Sequence, residues 1–113
     1  MIIKKRENDE AIRIDKLQMG EGYFLSRPRI VLNDCPVTFH YETIEAGCSI
    51  GRHFHNEETE YYYILSGKGA YDDNGRKTTL EAGDVAVCGG GEYHSIVNEG
   101  EEPIVFMGII SGH

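Results

Sequence analysis

At 113 residues the chain has room for one domain, and its 40% hydrophobic and 27% charged residues suit a globular protein with a modest core. A formal charge of −8, from 19 acidic against 11 basic residues, excludes the basic surplus that nucleic-acid binding demands. No apolar run approaches the ~18–20 residues of a membrane span, and the opening MIIKKREND lacks the apolar stretch of a signal peptide. The expectation is a cytoplasmic protein with neither a membrane nor a nucleic acid as partner.

Residues 1–22 read as an N-terminal extension. Its one basic cluster, Lys4-Lys5-Arg6, is followed at once by Glu7, Asp9 and Glu10 and reads as a solvated edge. The piece from Asp9 to Leu17 fits a short helix or an edge strand equally well. From about residue 23 to 110, glycines punctuate short runs rich in Tyr, Val, Ile, Thr and Phe, the pattern of many short strands. The predicted strands are Tyr23–Ser26, Arg29–Leu32, Val37–Ile44, Ser49–His55, Glu60–Ser66, Gly69–Asp72, Lys77–Leu80, Asp84–Val87, Glu92–Asn98 and Ile104–Ile110. Asn74-Gly75 is a strong hairpin signal, because both residues tolerate positive φ. The fold class is therefore all-β, a sandwich or barrel in a single domain.

Four residues carry the chemistry. His53 and His55 are two apart in an extended segment, so both imidazoles project from one face. Glu60 begins the next strand after the short Asn56–Thr59 loop, and His94 follows the Gly89-Gly90-Gly91 turn. In an antiparallel barrel these side chains can converge on one interior point, although any one histidine alone would pass for an ordinary hydrogen-bonded one. Three imidazoles and a carboxylate suit Mn, Fe, Co, Ni or Zn. Four protein ligands on a metal that accepts six leave positions open for water, O2 or substrate, the mark of a catalytic metal.

The spacing is the specific signal. Gly47-x5-His53-x-His55-x4-Glu60-x6-Gly67 reproduces the first motif of the cupin superfamily. Gly83-x5-Gly89-Gly90-Gly91-x2-His94-x3-Asn98 reproduces the second, with Gly89 where the family usually has proline. The chain thus resembles the small single-domain cupins grouped with oxalate decarboxylases or sugar-phosphate isomerases. That resemblance implies a double-stranded β-helix, a metal held by His53, His55, Glu60 and His94, and Asn98 as a backbone anchor near the last ligand. Oxalate decarboxylases usually carry an arginine at the third residue after the first-motif glycine; here that position is Ile50, so the anion clamp of the resemblance is missing. Retention of Glu60 disfavours a thiol dioxygenase.

Strict alternation puts Ser49 and Gly51 on the face of His53 and His55, and turns Arg52 away. His40, Glu42 and Tyr62 are the candidate catalytic or substrate-contacting residues, with His40 or Glu42 as a proton shuttle; the same alternation also allows His40 and Glu42 a solvated or dimer-facing surface. Tyr61 and Tyr63 fall on the face opposite Tyr62, which suggests a packed second layer or a subunit interface. Cys35, Cys48 and Cys88 are odd in number and widely spaced, and read as free thiols. The expected function is that of a metal-binding protein, most simply a metal-dependent enzyme acting on a small polar metabolite such as an oxo-acid, dicarbonyl or sugar derivative. The alternative is a non-catalytic small-ligand-binding or sensor module; in either case a homodimer is expected.

Overall fold

The computed structural model describes residues 3, 5, 10–30 and 36–112, with backbone alone at 29 and 30. Cys35, His113, Lys4 and Arg6 lie outside the described residues. Ten strands are described: β1 (Ile12–Asp15), β2 (Tyr23–Ile30), β3 (Val37–Ile44), β4 (Ser49–His55), β5 (Thr59–Ser66), β6 (Lys68–Asp73), β7 (Arg76–Glu81), β8 (Val85–Cys88), β9 (Glu92–Val97) and β10 (Ile104–Ser111). The ambiguous N-terminal piece is an edge strand, β1, followed by a tight turn at Leu17–Met19. The expected strand Tyr23–Ser26 and the described part of Arg29–Leu32 are one strand, β2, while Val31 and Leu32 lie outside the described residues. The strand runs through Pro28, which lies past the residues paired with β1 and at a register shift against β3, where a missing N–H is tolerated.

The strands form two sheets, a six-stranded one in the order β1-β2-β3-β10-β5-β8 and a four-stranded one in the order β4-β9-β6-β7. Neighbouring strands within each sheet pair antiparallel. This is the double-stranded β-helix, but it corrects the expectation of a β-barrel. Among the described residues no strand of one sheet pairs with a strand of the other, so the two layers face each other as a sandwich with open edges at β1, β8, β4 and β7.

Alternation along β5 shows how the sequence builds the layers. Tyr62 and Ile64 are buried between the sheets, while Tyr63 and Leu65 face outward. The centre of the core is Ile44, Ile64, Ile96, Ile104 and Phe106, all fully buried. At the β6–β7 hairpin Asn74 and Gly75 both take positive φ, as the Asn-Gly pair demands. Asn98 ties the strand ends together. Its amide donates to the carbonyls of Ile44 and Glu102 while its own side-chain oxygen accepts from Gly100 N–H. No helix among the described residues is long and apolar enough to cross a membrane.

Candidate metal centre

The two sheets bring His53, His55, Glu60 and His94 together. The small sheet supplies the three imidazoles, with His53 of β4 directly opposite His94 of β9, and β5 of the large sheet supplies Glu60 across the gap. His94 Nε2 lies 2.9 Å from His53 Nε2, 3.0 Å from His55 Nε2 and 3.1 Å from Glu60 Oε1. The four candidate ligand atoms all lie within 4.8 Å of one another.

The outer nitrogen of each ring fixes which way the ring presents its lone pair. His53 Nδ1–H donates to the carbonyl of Gly51 at 2.8 Å, and His55 Nδ1–H to the carboxylate of Glu58 at 3.2 Å. His94 Nδ1 is 2.7 Å from the Tyr71 hydroxyl, which can accept from it. With Nδ1 protonated, each neutral ring turns an Nε2 lone pair toward the same point as the Glu60 oxygen. Four converging acceptors repel one another unless a cation lies among them. The donor set therefore fits a divalent transition metal, and the partners on Nδ1 are of the kind that orient metal-bound histidines. Burial works to raise the Glu60 pKa; without a cation the imidazoles of His53, His55 and His94 can turn a proton instead of a lone pair toward the carboxylate, and such bonds outweigh burial and hold it far below the usual range. It is a carboxylate at any physiological pH.

Local backbone chemistry places the ligands. The triple-glycine turn before His94 is closed by Gly89 N–H donating to the Glu92 carboxylate, and Gly91 N–H binds the carbonyl of His55. Gly91 sits at φ +82°, where a side chain would be strained. Tyr62 packs its ring on His94, centroids 4.9 Å apart and 30° from parallel, so the phenol wall helps fix that imidazole.

A cavity of about 260 Å³ opens beside the four donors. Its wall includes His53, His55 and Glu60 together with His40, Glu42 and Tyr62, so the inner face of the large sheet brings the three expected catalytic candidates to the metal side. Gly108, paired with both His40 and Tyr62, contributes no side chain to the wall between them. Burial lowers the His40 pKa, partly offset by Glu60. Burial raises the Glu42 pKa to about 8, opposed by the Ser26 hydrogen bond and reinforced by the negative charge of Glu60. Burial likewise pushes the Tyr62 phenol well above its ordinary value. At neutral pH the cavity thus presents a neutral imidazole, a protonated carboxyl and a phenol.

Strict alternation fails in β4. The pairing with β9 shifts register between Ile50 and His53, and this bulge brings Ile50, not Gly51, onto the cavity wall with the two histidines. Ser49 is also buried, but its hydroxyl accepts from Glu21 N–H instead of facing the site. Gly51 takes up a separate task. A Cβ there would lie 1.9 Å from the Gln18 carbonyl oxygen, so glycine is what lets the turn at Leu17–Met19 seat against β4 and form the cavity rim. Arg52 does point away, and pairs with Asp72 at 2.7 Å on the outer face. Sequence reasoning missed Tyr71 and Glu58, the partners of His94 and His55. Alternation from Gly69 would have turned Tyr71 inward; for Glu58, in a loop, no periodic signal existed.

Comparison with known proteins agrees with this geometry. The family model described as Cupin domain matches residues 40–110. An oxalate-binding protein of Thermotoga maritima is 45% identical over 103 residues, which cover 87% of this chain and 84% of that protein. The oxalate decarboxylase OxdC of Bacillus subtilis is 35% identical over 72 residues, 59% of this chain but 19% of the longer relative. A crystal structure from Thermotoga maritima, described as a predicted oxalate decarboxylase, superposes with a TM-score of 0.92 at 29% identity, covering 99% of this chain and all of that one.

Proposed function

The chain belongs to the cupin family, and from that premise we propose that it is a metal-dependent enzyme acting on a small polar metabolite of the oxo-acid, dicarbonyl or sugar class. The observation that carries this reading is the shared cavity: His40, Glu42 and Tyr62 line the same space as His53, His55 and Glu60. Mn, Fe, Co, Ni or Zn held by His53, His55, Glu60 and His94 would act as a Lewis acid or O2-activating centre toward a substrate oxygen. The chain's own residues supply the rest. Neutral His40 is the proton acceptor of the set, and Glu42 and Tyr62 are donors, because burial keeps both protonated. Phe24, Ile50 and Phe106 are among the apolar residues of the wall.

A second reading, a non-catalytic binding or sensor module, is favoured by the name of the 45% identical relative, an oxalate-binding protein. A panel of oxo-acids, diketones and sugar phosphates assayed with the metal-loaded protein separates the two. Turnover that disappears with chelator supports the enzyme; saturable binding without turnover of any panel member supports the module.

We place the protein in the cytoplasm as a homodimer. Cys48 and Cys88 are both free thiols, as a reducing compartment keeps them. The outer face of the large sheet carries exposed Tyr63, Leu65, Val85 and Val87, with Tyr63 paired to Val85 and Tyr61 to Val87. A contiguous uncharged strip on a chain of net charge −8 is the surface most suited to a second copy of itself.

A further inference from the structure

Glu42 Oε2 is the one buried side-chain oxygen or nitrogen among the described residues that finds no partner in the protein. The other carboxyl oxygen, Oε1, accepts from the Ser26 hydroxyl at 3.1 Å. Glu42 is 8% exposed and lines the cavity beside the metal centre. Leaving such an atom unpaired costs about 1–3 kcal/mol, and buried polar atoms of this kind call for a specific explanation.

The neighbours of Glu42 do not favour a charge there. Ser26 on β2 is its only hydrogen-bond donor among the described residues. On its own strand, His40 Nδ1 is 3.8 Å away, beyond a hydrogen bond, and burial disfavours the charged imidazole. Phe106 and Gly108 on β10 carry no charge. On β5, Tyr62 is a phenol and Glu60 is an anion that repels a second one. From the facing sheet, His53 and His55 are turned toward Glu60. Burial and this company hold the Glu42 pKa up, and the carboxyl finds a single hydrogen-bond partner among the described residues.

We propose that Glu42, which lines the cavity with one carboxyl oxygen unpartnered, turns its carboxyl to hydrogen-bond the bound ligand, so that the site selects small acids with a carboxylate for the metal centre and a neighbouring carbonyl oxygen for Glu42. The inference rests on the metal reading above and narrows its substrate class to 2-oxo acids. The remainder of the ligand packs on Phe24, Ile50 and Phe106.

Pyruvate and propionate are suitable probes, because they are alike in size and differ in the keto oxygen. Their binding to the cobalt-loaded protein is followed by the visible spectrum, with cobalt content measured for wild type, Glu42→Gln and Glu42→Leu. Glutamine keeps the shape and a neutral donor; leucine keeps the bulk and loses the donor. The expected result is unchanged cobalt content throughout and pyruvate affinity within about threefold of wild type in Glu42→Gln. In Glu42→Leu, a loss of roughly 10- to 100-fold for pyruvate should accompany little change for propionate. Infrared spectra of wild type should show a protonated carboxyl band that shifts with pyruvate and is absent from both variants. Equal pyruvate affinity in Glu42→Leu, or an ionised Glu42 in the pyruvate complex, overturns this proposal alone. A wild-type protein that takes up no cobalt overturns the metal reading, and this proposal with it.

Discussion

The Tyr71 hydroxyl lies 2.7 Å from Nδ1 of His94, on the side of the ring away from Glu60 and the other two imidazoles. Burial pushes the Tyr71 pKa well above its ordinary value, so the group stays a phenol able to accept the imidazole N–H. It sets the tautomer and tilt of the most buried ligand from outside the ligand set. Tyr71→Phe removes that acceptor and little volume. Metal affinity should fall about 10- to 100-fold while the unfolding temperature of the metal-free protein changes by only a few degrees, as a metal titration followed by thermal scans would show. Unchanged affinity would mean that the hydroxyl does not orient the ring.

Glu42 makes stability depend on pH in a stated direction. Its pKa is about 8 in the folded protein against an ordinary 4.5, so between those values the folded state holds a proton that the unfolded chain releases. The unfolded state then binds fewer protons, and stability falls as pH rises from about 4.5 toward 8. Glu42→Gln cannot ionise and escapes this loss. In the metal-free protein it should match wild type near pH 4.5 and exceed it by on the order of 3 kcal/mol at pH 8. Urea unfolding at the two pH values measures the difference; a constant gap between the proteins would contradict the assignment.

The four candidate ligands were legible because the cupin motifs fix spacing, and spacing in strands fixes facing. His53 and His55 share a face by the two-residue period, and the short Asn56–Thr59 loop and the triple-glycine turn bring Glu60 and His94 beside them. What alternation could not reveal was its own interruption. The bulge between Ile50 and His53 moves Ile50 into the cavity and frees Gly51 to contact the turn at Leu17–Met19, and neither side-chain type announces a bulge. The strand β2 continues through Pro28 because, at a register shift past the β1 pairing, a strand can run through proline. Strand content was likewise legible, whereas the division into two open sheets was not, since it depends on which distant strands pair. Glu58 and Tyr71 escaped notice because their role exists only through contact with another side chain.

The turn before β2 depends on a glycine in another strand. Lys16, Gln18 and Met19 all have positive φ, and the Gln18 carbonyl occupies the space a Gly51 side chain would need. Gly51→Ala must displace backbone, at a cost of about 1–3 kcal/mol. Denaturant unfolding should show that loss, together with faster amide exchange at Gln18–Gly20 than in wild type. A fully stable variant would mean that the turn does not need this seat.

The outer face of the large sheet tests the expected homodimer. Val87 of β8 is 49% exposed and pairs with Tyr61 of β5. Val87→Glu puts a charge on the uncharged strip, where burial against a second chain is costly. Light scattering after gel filtration should give the mass of two chains for wild type and of one for the variant. Two-chain mass in both would place the interface elsewhere.

The central claim is that His53, His55, Glu60 and His94 hold a metal. Its most direct test is elemental analysis of the protein purified without chelator, beside the Glu60→Ala variant prepared identically. The account predicts about one Mn, Fe, Co, Ni or Zn per chain in wild type and its loss in the variant. No metal in wild type even after reconstitution, or full occupancy without Glu60, would contradict it.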